Sequence, residues 1–157
     1  MGFDLIGKNI DENHTGDSDP VIPVTIIMNG ISYDNLDEYL ESIGLPKNTI
    51  KFRCSNGNWH TIWKYVQYAN NMVSDEHKFI GDNKDFEAGN SNSGHFINKE
   101  KAISISNCCT NGIECNYFNQ YIEEECSWAD DSDKENILDM VKKFIDFCNN
   151  SGGFLII

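Results

Sequence analysis

Apolar and polar positions change their period several times along this 157-residue chain, and each change marks an element. Gly2-Phe3-Asp4-Leu5-Ile6 alternates roughly apolar with polar, which predicts a short strand. A turn-rich stretch crowded with Asn, Asp and Gly follows from Gly7 to Pro20. Val21 to Met28 is rich in β-branched residues, Asn29-Gly30 suits the two positive-φ positions of a type I′ turn, and Ile31-Ser32-Tyr33 can return alongside. The spacing therefore predicts a hairpin over 21–33.

Helical spacing then takes over. Asp34 can cap a helix with Leu36, Tyr39, Leu40 and Ile43 on one face and Asp37, Glu38 and Glu41 outside, stopped by Gly44 and Pro46. Thr49 to Arg53 reads as a strand. Asn58 precedes a helix whose Trp59, Ile62, Trp63, Val66, Ala69 and Val73 share a core-facing side. From Ser74 to Asn98 periodicity dissolves into polar runs such as Asp82-Asn83-Lys84-Asp85, which predicts a long loop over 74–98. Asn98 can cap a short helix to about Cys108, Asn111-Gly112 should break it, and Cys115 to Glu125 resumes helical spacing through Phe118, Tyr121 and Ile122. Ser132 and Glu135 form a capping-box pattern ahead of the continuous stripe Ile137, Leu138, Val141, Phe144, Ile145 and Cys148, and Ser151-Gly152-Gly153 ends that helix. The apolar end, Phe154 to Ile157, would promote aggregation if exposed and is expected as a buried strand beside the first one.

These elements describe one α+β domain over 1–157. It should hold a small mixed or antiparallel sheet, including the N-terminal strand, the hairpin and the C-terminal strand, packed on four or five helices. The length suits a single core, and nine Phe, six Tyr and three Trp supply its bulk.

Charge narrows the function classes. Asp and Glu number 25 against 12 Lys and Arg, a net charge of −13, so direct binding to a nucleic-acid backbone is disfavoured for want of a basic footprint. No apolar run is long enough to span a membrane and no secretory signal precedes the first strand, so a cytoplasmic location with reduced thiols is expected for Cys54, Cys108, Cys109, Cys115, Cys126 and Cys148.

Three blocks carry a resemblance. Met1-Gly2-Phe3-Asp4-Leu5 opens the chain, and Phe52-Arg53 leads into Trp59, Ile62, Trp63, Tyr65 and Val66. Gly94-His95-Phe96 is followed at the end by Phe144-Ile145-Asp146-Phe147-Cys148 and Ser151-Gly152-Gly153-Phe154. In this order they resemble a family of small uncharacterised phage and bacterial proteins. Gly57 and Asn58 depart from its tryptophan-rich segment, and residues 20–46 look like an addition to its pattern. The resemblance implies an origin and a fold but transfers no activity.

Candidate chemistry is sparse. Trp59 and Trp63 could wall a ring-shaped ligand, although their spacing favours core packing. The loop from Gly89 to His95, including Ser93, could cradle an anion with Arg53 as its charge partner. The cysteines lack the two-residue separation typical of zinc sites, and no cofactor or resident metal is expected. The run Asp130 to Glu135 lacks the glycine and distal glutamate of a calcium loop and reads as an acidic helix start. Between residues 121 and 139 eight carboxylates face only Lys134. That makes Glu123, Glu124, Glu125, Asp130, Asp131, Asp133 and Glu135 either a solvated face or a surface for a basic protein partner. A non-enzymatic accessory protein, one that could inhibit a host defence or nucleic-acid-handling system, is the leading expectation. A binder of a small nucleotide-like anion through Arg53, Trp59, Trp63, Ser93 and His95 is second, and a hydrolase using His95 is third.

Overall fold

The computed structural model describes residues 2–11, 26–28, 31–33, 36–46, 49–92 and 94–157; the expected turn at Asn29-Gly30, the cap at Asp34 and Ser93 lie outside the described residues. The strands are β1 (Gly2–Ile10), β2 (Ile26–Met28), β3 (Ile31–Tyr33), β4 (Thr49–Ser55), β5 (His95–Asn98) and β6 (Gly153–Ile156). The helices are α1 (Leu36–Ser42), α2 (Asn56–Met72), α3 (Asn83–Ala88), α4 (Lys99–Glu114), α5 (Tyr117–Glu125) and α6 (Asp131–Asn150). The expected α+β architecture is what they build.

The main sheet is antiparallel in the order β4-β1-β6-β5, so the first and last strands of the chain are its two central ones. Leu5 stands opposite both Phe52 and Ile156, and Ile6 opposite both Lys51 and Leu155. Alternation then assigns Leu5, Phe52, Phe154 and Ile156 to a face covered by α2, α4 and α6. The other face carries Ile6, Leu155 and Ile157 beneath Tyr39 and Leu40 of α1. The predicted hairpin exists as β2 against β3, but it forms a separate two-stranded sheet and does not join the main one.

Several boundaries move for identifiable reasons. Strand β1 continues past Gly7, where a turn was expected, because the N–H groups of Lys8 and Asn9 donate to the Ser151 carbonyl at 2.7 and 2.8 Å. Its acceptor arrives from the far end of the chain. Helix α2 begins three residues earlier than Asn58 implied, since the Ser55 hydroxyl caps it by accepting from the Asn58 N–H. Helix α6 is capped by the pair Asp130 and Asp133, each side chain accepting from the other's N–H, in place of the expected Ser132 and Glu135.

The expected long loop is largely structured. A 3-10 turn at Asp75–His77, helix α3 and strand β5 occupy it. Asp82 accepts from the N–H groups of Lys84 and Asp85 while the Asp85 carboxylate accepts from the Asp82 N–H, which nucleates α3. A sixth helix is thereby added to the four or five expected.

Helix α4 runs straight through Asn111-Gly112, and the break falls at Asn116, which adopts a left-handed φ of 66°. Gly112 faces α2: a Cβ there would lie 2.6 Å from the Tyr65 hydroxyl and 3.1 Å from the Ala69 methyl. It is a point of close helix contact, and the Tyr65 hydroxyl is fixed there by donating to the Cys109 carbonyl at 2.8 Å. Gly112→Ala would gain about 1 kcal/mol of helix propensity but overpack a buried contact at a cost of roughly 1–3 kcal/mol. Urea unfolding should show a net loss. In a Tyr65→Phe background, where the hydroxyl oxygen is gone and the Ala69 methyl is the remaining tight contact, the same substitution should cost less.

Candidate functional site

The structure does not bring the expected ligand-binding residues together. Trp59 and Trp63 are each 1% exposed and stack on one another with ring centroids 5.3 Å apart, while Phe3 and Phe144 close around Trp59. Their indole N–H groups donate to the carbonyls of Gly89 and Phe86 at 2.6 and 2.9 Å. Gly89 lies so close over Trp63 that any Cβ would enter the indole ring. Both tryptophans are therefore core, with their polar atoms satisfied and no ring face left for a ligand.

Arg53 and His95 are separated by the whole sheet. Arg53 stands on edge strand β4 opposite Asp4, whereas His95 stands on the other edge, β5, opposite Ile156. The register also places them on opposite faces. Ser93, the remaining member of that set, lies outside the described residues.

His95 belongs to a different constellation, which sequence reading missed. Asp85 on α3 is 1% exposed, and its Oδ1 lies 2.8 Å from His95 Nε2 while its Oδ2 lies 2.7 Å from Lys101 Nζ on α4. The Asp82 N–H donates to Oδ2 as well, at 2.8 Å. Burial pushes the Asp85 pKa up, but the hydrogen bonds from Lys101, His95 and the Asp82 backbone outweigh it and hold the group at about 2. One carboxylate thus ties α3, β5 and α4 together beside the tryptophans. The signal in the sequence was Asp82-Asn83-Lys84-Asp85, a capping box written with aspartate in the place of glutamate.

An imidazole held by a carboxylate is half of a nucleophile-activating arrangement. Among the described residues, however, no hydroxyl or thiol hydrogen-bonds to His95, and Lys101 takes the other carboxylate oxygen. Four of the six thiols are poorly suited to attack: burial pushes Cys54 and Cys108 up to about 11 and Cys109 and Cys148 well above the usual thiol range. No three His, Cys, Asp or Glu side chains among the described residues gather as a metal-holding group. No helix among those residues is long and apolar enough to cross a membrane.

The acidic residues separate into two kinds. Asp130 and Asp133 serve as the α6 cap, and Asp131 lies beside Lys134 at 3.6 Å in the first turn, where the helix dipole favours negative charge. Glu123, Glu124 and Glu125 occupy the last turn of α5, which has no basic residue, and all three are exposed. There the helix dipole disfavours them, and the Tyr68 hydroxyl donating to Glu124 at 3.0 Å is a modest compensation. Just beyond, Trp128 is 66% exposed between the buried neighbours Cys126 and Ala129.

No protein-family model, curated protein or solved structure matches the chain.

The Asp85 clamp makes stability depend on pH with a definite sign. Its depressed pKa stabilises the fold fully above the unfolded value near 4, and that contribution is lost as pH falls toward 2. Asp85→Asn should cost about 2 kcal/mol in urea unfolding at pH 7, leaving Lys101 without its counter-charge. The gap between the two proteins should narrow steadily between pH 4 and pH 2.5. A gap that stays constant would show that the carboxylate's charge contributes nothing.

Proposed function

We propose that this chain is a protein-docking factor that engages a basic partner through the end of α5 and the turn into α6. The observation that carries this reading is an exposed tryptophan, Trp128, in the turn that follows three exposed glutamates at the C-terminal end of α5, where the helix dipole disfavours them. Carboxylates serving only solubility cost least at a helix N-terminus, as Asp130 and Asp131 illustrate; Glu123 to Glu125 stand at the opposite pole. Local rules broken with only modest structural compensation, here the Tyr68 hydroxyl on Glu124, are characteristic of functional surfaces.

The turn is well suited to present an anchor. The Cys126 N–H donates to the Ile122 carbonyl at 3.0 Å and the Ala129 N–H to the Cys126 carbonyl at 2.9 Å, so the indole projects from a hydrogen-bonded frame. A large aromatic ring surrounded by charge combines a desolvated anchor with electrostatic steering, and the net charge of −13 extends that steering to long range. The partner this chemistry fits is a protein with a basic groove, including one that otherwise holds nucleic acid. Occupying such a groove would inhibit its owner.

The test separates binding from folding. The wild-type chain, immobilised in a cell extract, should retain a basic protein that Trp128→Ala releases, with affinity weakened by about 2 kcal/mol, ~30-fold. Glu123→Gln with Glu125→Gln should slow association with that protein and flatten its salt dependence, while making the chain itself more stable by a few tenths to about 1 kcal/mol. Equal retention by all the chains would overturn the reading.

A further inference from the structure

Most of the carboxylates around Trp128 already have a partner within the chain. Glu124 accepts from the Tyr68 hydroxyl, Asp130 and Asp133 cap α6, Asp131 lies beside Lys134, and Asp139 pairs with Lys143 at 2.8 Å. Glu123 and Glu125, exposed on the last turn of α5, make no hydrogen bond or ion pair among the described residues. The Trp128 ring likewise has no aromatic neighbour and no cation over its face among them. Peptide oxygens are left over as well. The Cys126 and Ala129 N–H groups bond within the turn, and no backbone N–H among the described residues donates to the carbonyls of Glu123, Glu124 or Glu125. Those oxygens form the negative pole of α5.

A free indole face, two unpaired carboxylates and a helix C-terminus each favour a cation, and here they occur together. An apolar pocket that took in the indole would draw Glu125 and Asp130, three residues before it and two after, out of water without a counter-charge, which is strongly unfavourable. A cationic side chain lying on the ring would pair them instead. Guanidinium suits the place better than ammonium. It is planar, weakly hydrated and able to stack on an aromatic face, and its five N–H donors can meet carboxylate and carbonyl oxygens together. The chain cannot supply one itself. Its single arginine, Arg53, pairs with Asp4 at 3.2 Å and lines a basic groove of about 1170 Å³ bounded by the end of β1, by β4 and by the C-terminal half of α6.

We infer that Trp128 receives an arginine side chain of the protein partner, its guanidinium plane stacked on the indole and its edge hydrogen-bonded to Glu125 at the end of α5. The inference rests on the docking surface described above and names what that surface recognises: a single exposed arginine, selected by shape as well as by charge. Long-range attraction from the net charge of −13 brings a basic protein near, and the stacked, bidentate contact decides which of its cations is held.

A capped hexapeptide of alternating arginine and serine, titrated into the intact chain while the indole N–H signals are followed by NMR, tests this directly. The Trp128 signal should shift saturably, while those of Trp59 and Trp63, bonded to carbonyls in the core, stay in place. A citrulline counterpart, equal in shape but uncharged, should leave all three unmoved, and a lysine counterpart should bind about fivefold more weakly. Trp128→Leu keeps an apolar side chain without an aromatic face; it should weaken arginine-peptide binding about tenfold, and Glu125→Gln about threefold, with thermal melts confirming folding. Equal binding of the citrulline peptide, full affinity in Trp128→Leu, or an arginine peptide that never moves the Trp128 signal would each overturn the inference. The docking surface is judged separately. A basic protein retained by Trp128→Leu but released by Trp128→Ala would keep the surface and remove the arginine from it, whereas arginine-peptide binding at Trp128 with no protein retained would do the reverse.

Discussion

Everything in this fold depends on the last four strand residues finding the first strand. Strand β6 lies between β1 and β5, so without it the main sheet loses both its centre and its fourth strand. Phe154, Leu155 and Ile156 are each no more than 5% exposed, and they belong to the apolar clusters on both sides of the sheet. The pairing closes a loop of nearly the whole chain, so its entropic cost must be met by burial on two faces at once. Gly152 and Gly153 make the necessary reversal out of α6 at φ values of 69° and 97°, which residues with a Cβ rarely adopt. Ser151, fully buried in that corner, accepts the N–H groups of Lys8 and Asn9 and joins the reversal to β1.

On the helical side, aromatic packing and polar satisfaction are solved together. The four buried aromatic groups Trp59, Trp63, Tyr65 and Tyr121 each donate to a backbone carbonyl, at Gly89, Phe86, Cys109 and Thr61. Two of those carbonyls lie in the segment around α3, which covers the indoles and is held by Asp85. A polar, irregular stretch is therefore ordered by what it covers. The buried carboxylate is tolerable because Lys101, His95 and the Asp82 N–H surround it, and removing any of them leaves charge in a poorly solvated place.

Helix α6 links the acidic turn to the basic groove. Its N-terminus meets the turn that exposes Trp128, and its C-terminal half lines the groove beside β4. Twenty residues of helix span about 30 Å. The acidic turn and the groove are thus held apart by the length of the helix. The segregation is notable in a chain whose overall charge is so strongly negative.

Periodicity by itself determined the parts that rest on local rules. The faces of α2, α5 and α6, the hairpin pairing of Ile26–Met28 with Ile31–Tyr33, the Asn98 cap and the burial of the C-terminal tetrapeptide all follow from spacing and side-chain chemistry within about ten residues. Tertiary structure decided what depends on partners distant in sequence. Gly112 reads as a helix breaker until Tyr65 is seen against it, and Trp59 and Trp63, whose spacing favours core but leaves a ligand wall open, become core once Gly89 is laid over Trp63. Asp85 reads as loop polarity until His95 and Lys101 close on it, and the seven acidic candidates divide into cap and surface only when α5 ends and α6 begins. The physical reason is the same in each case. A side chain's identity limits what it can do, but whether it is buried, paired or exposed is set by atoms brought to it from elsewhere in the chain.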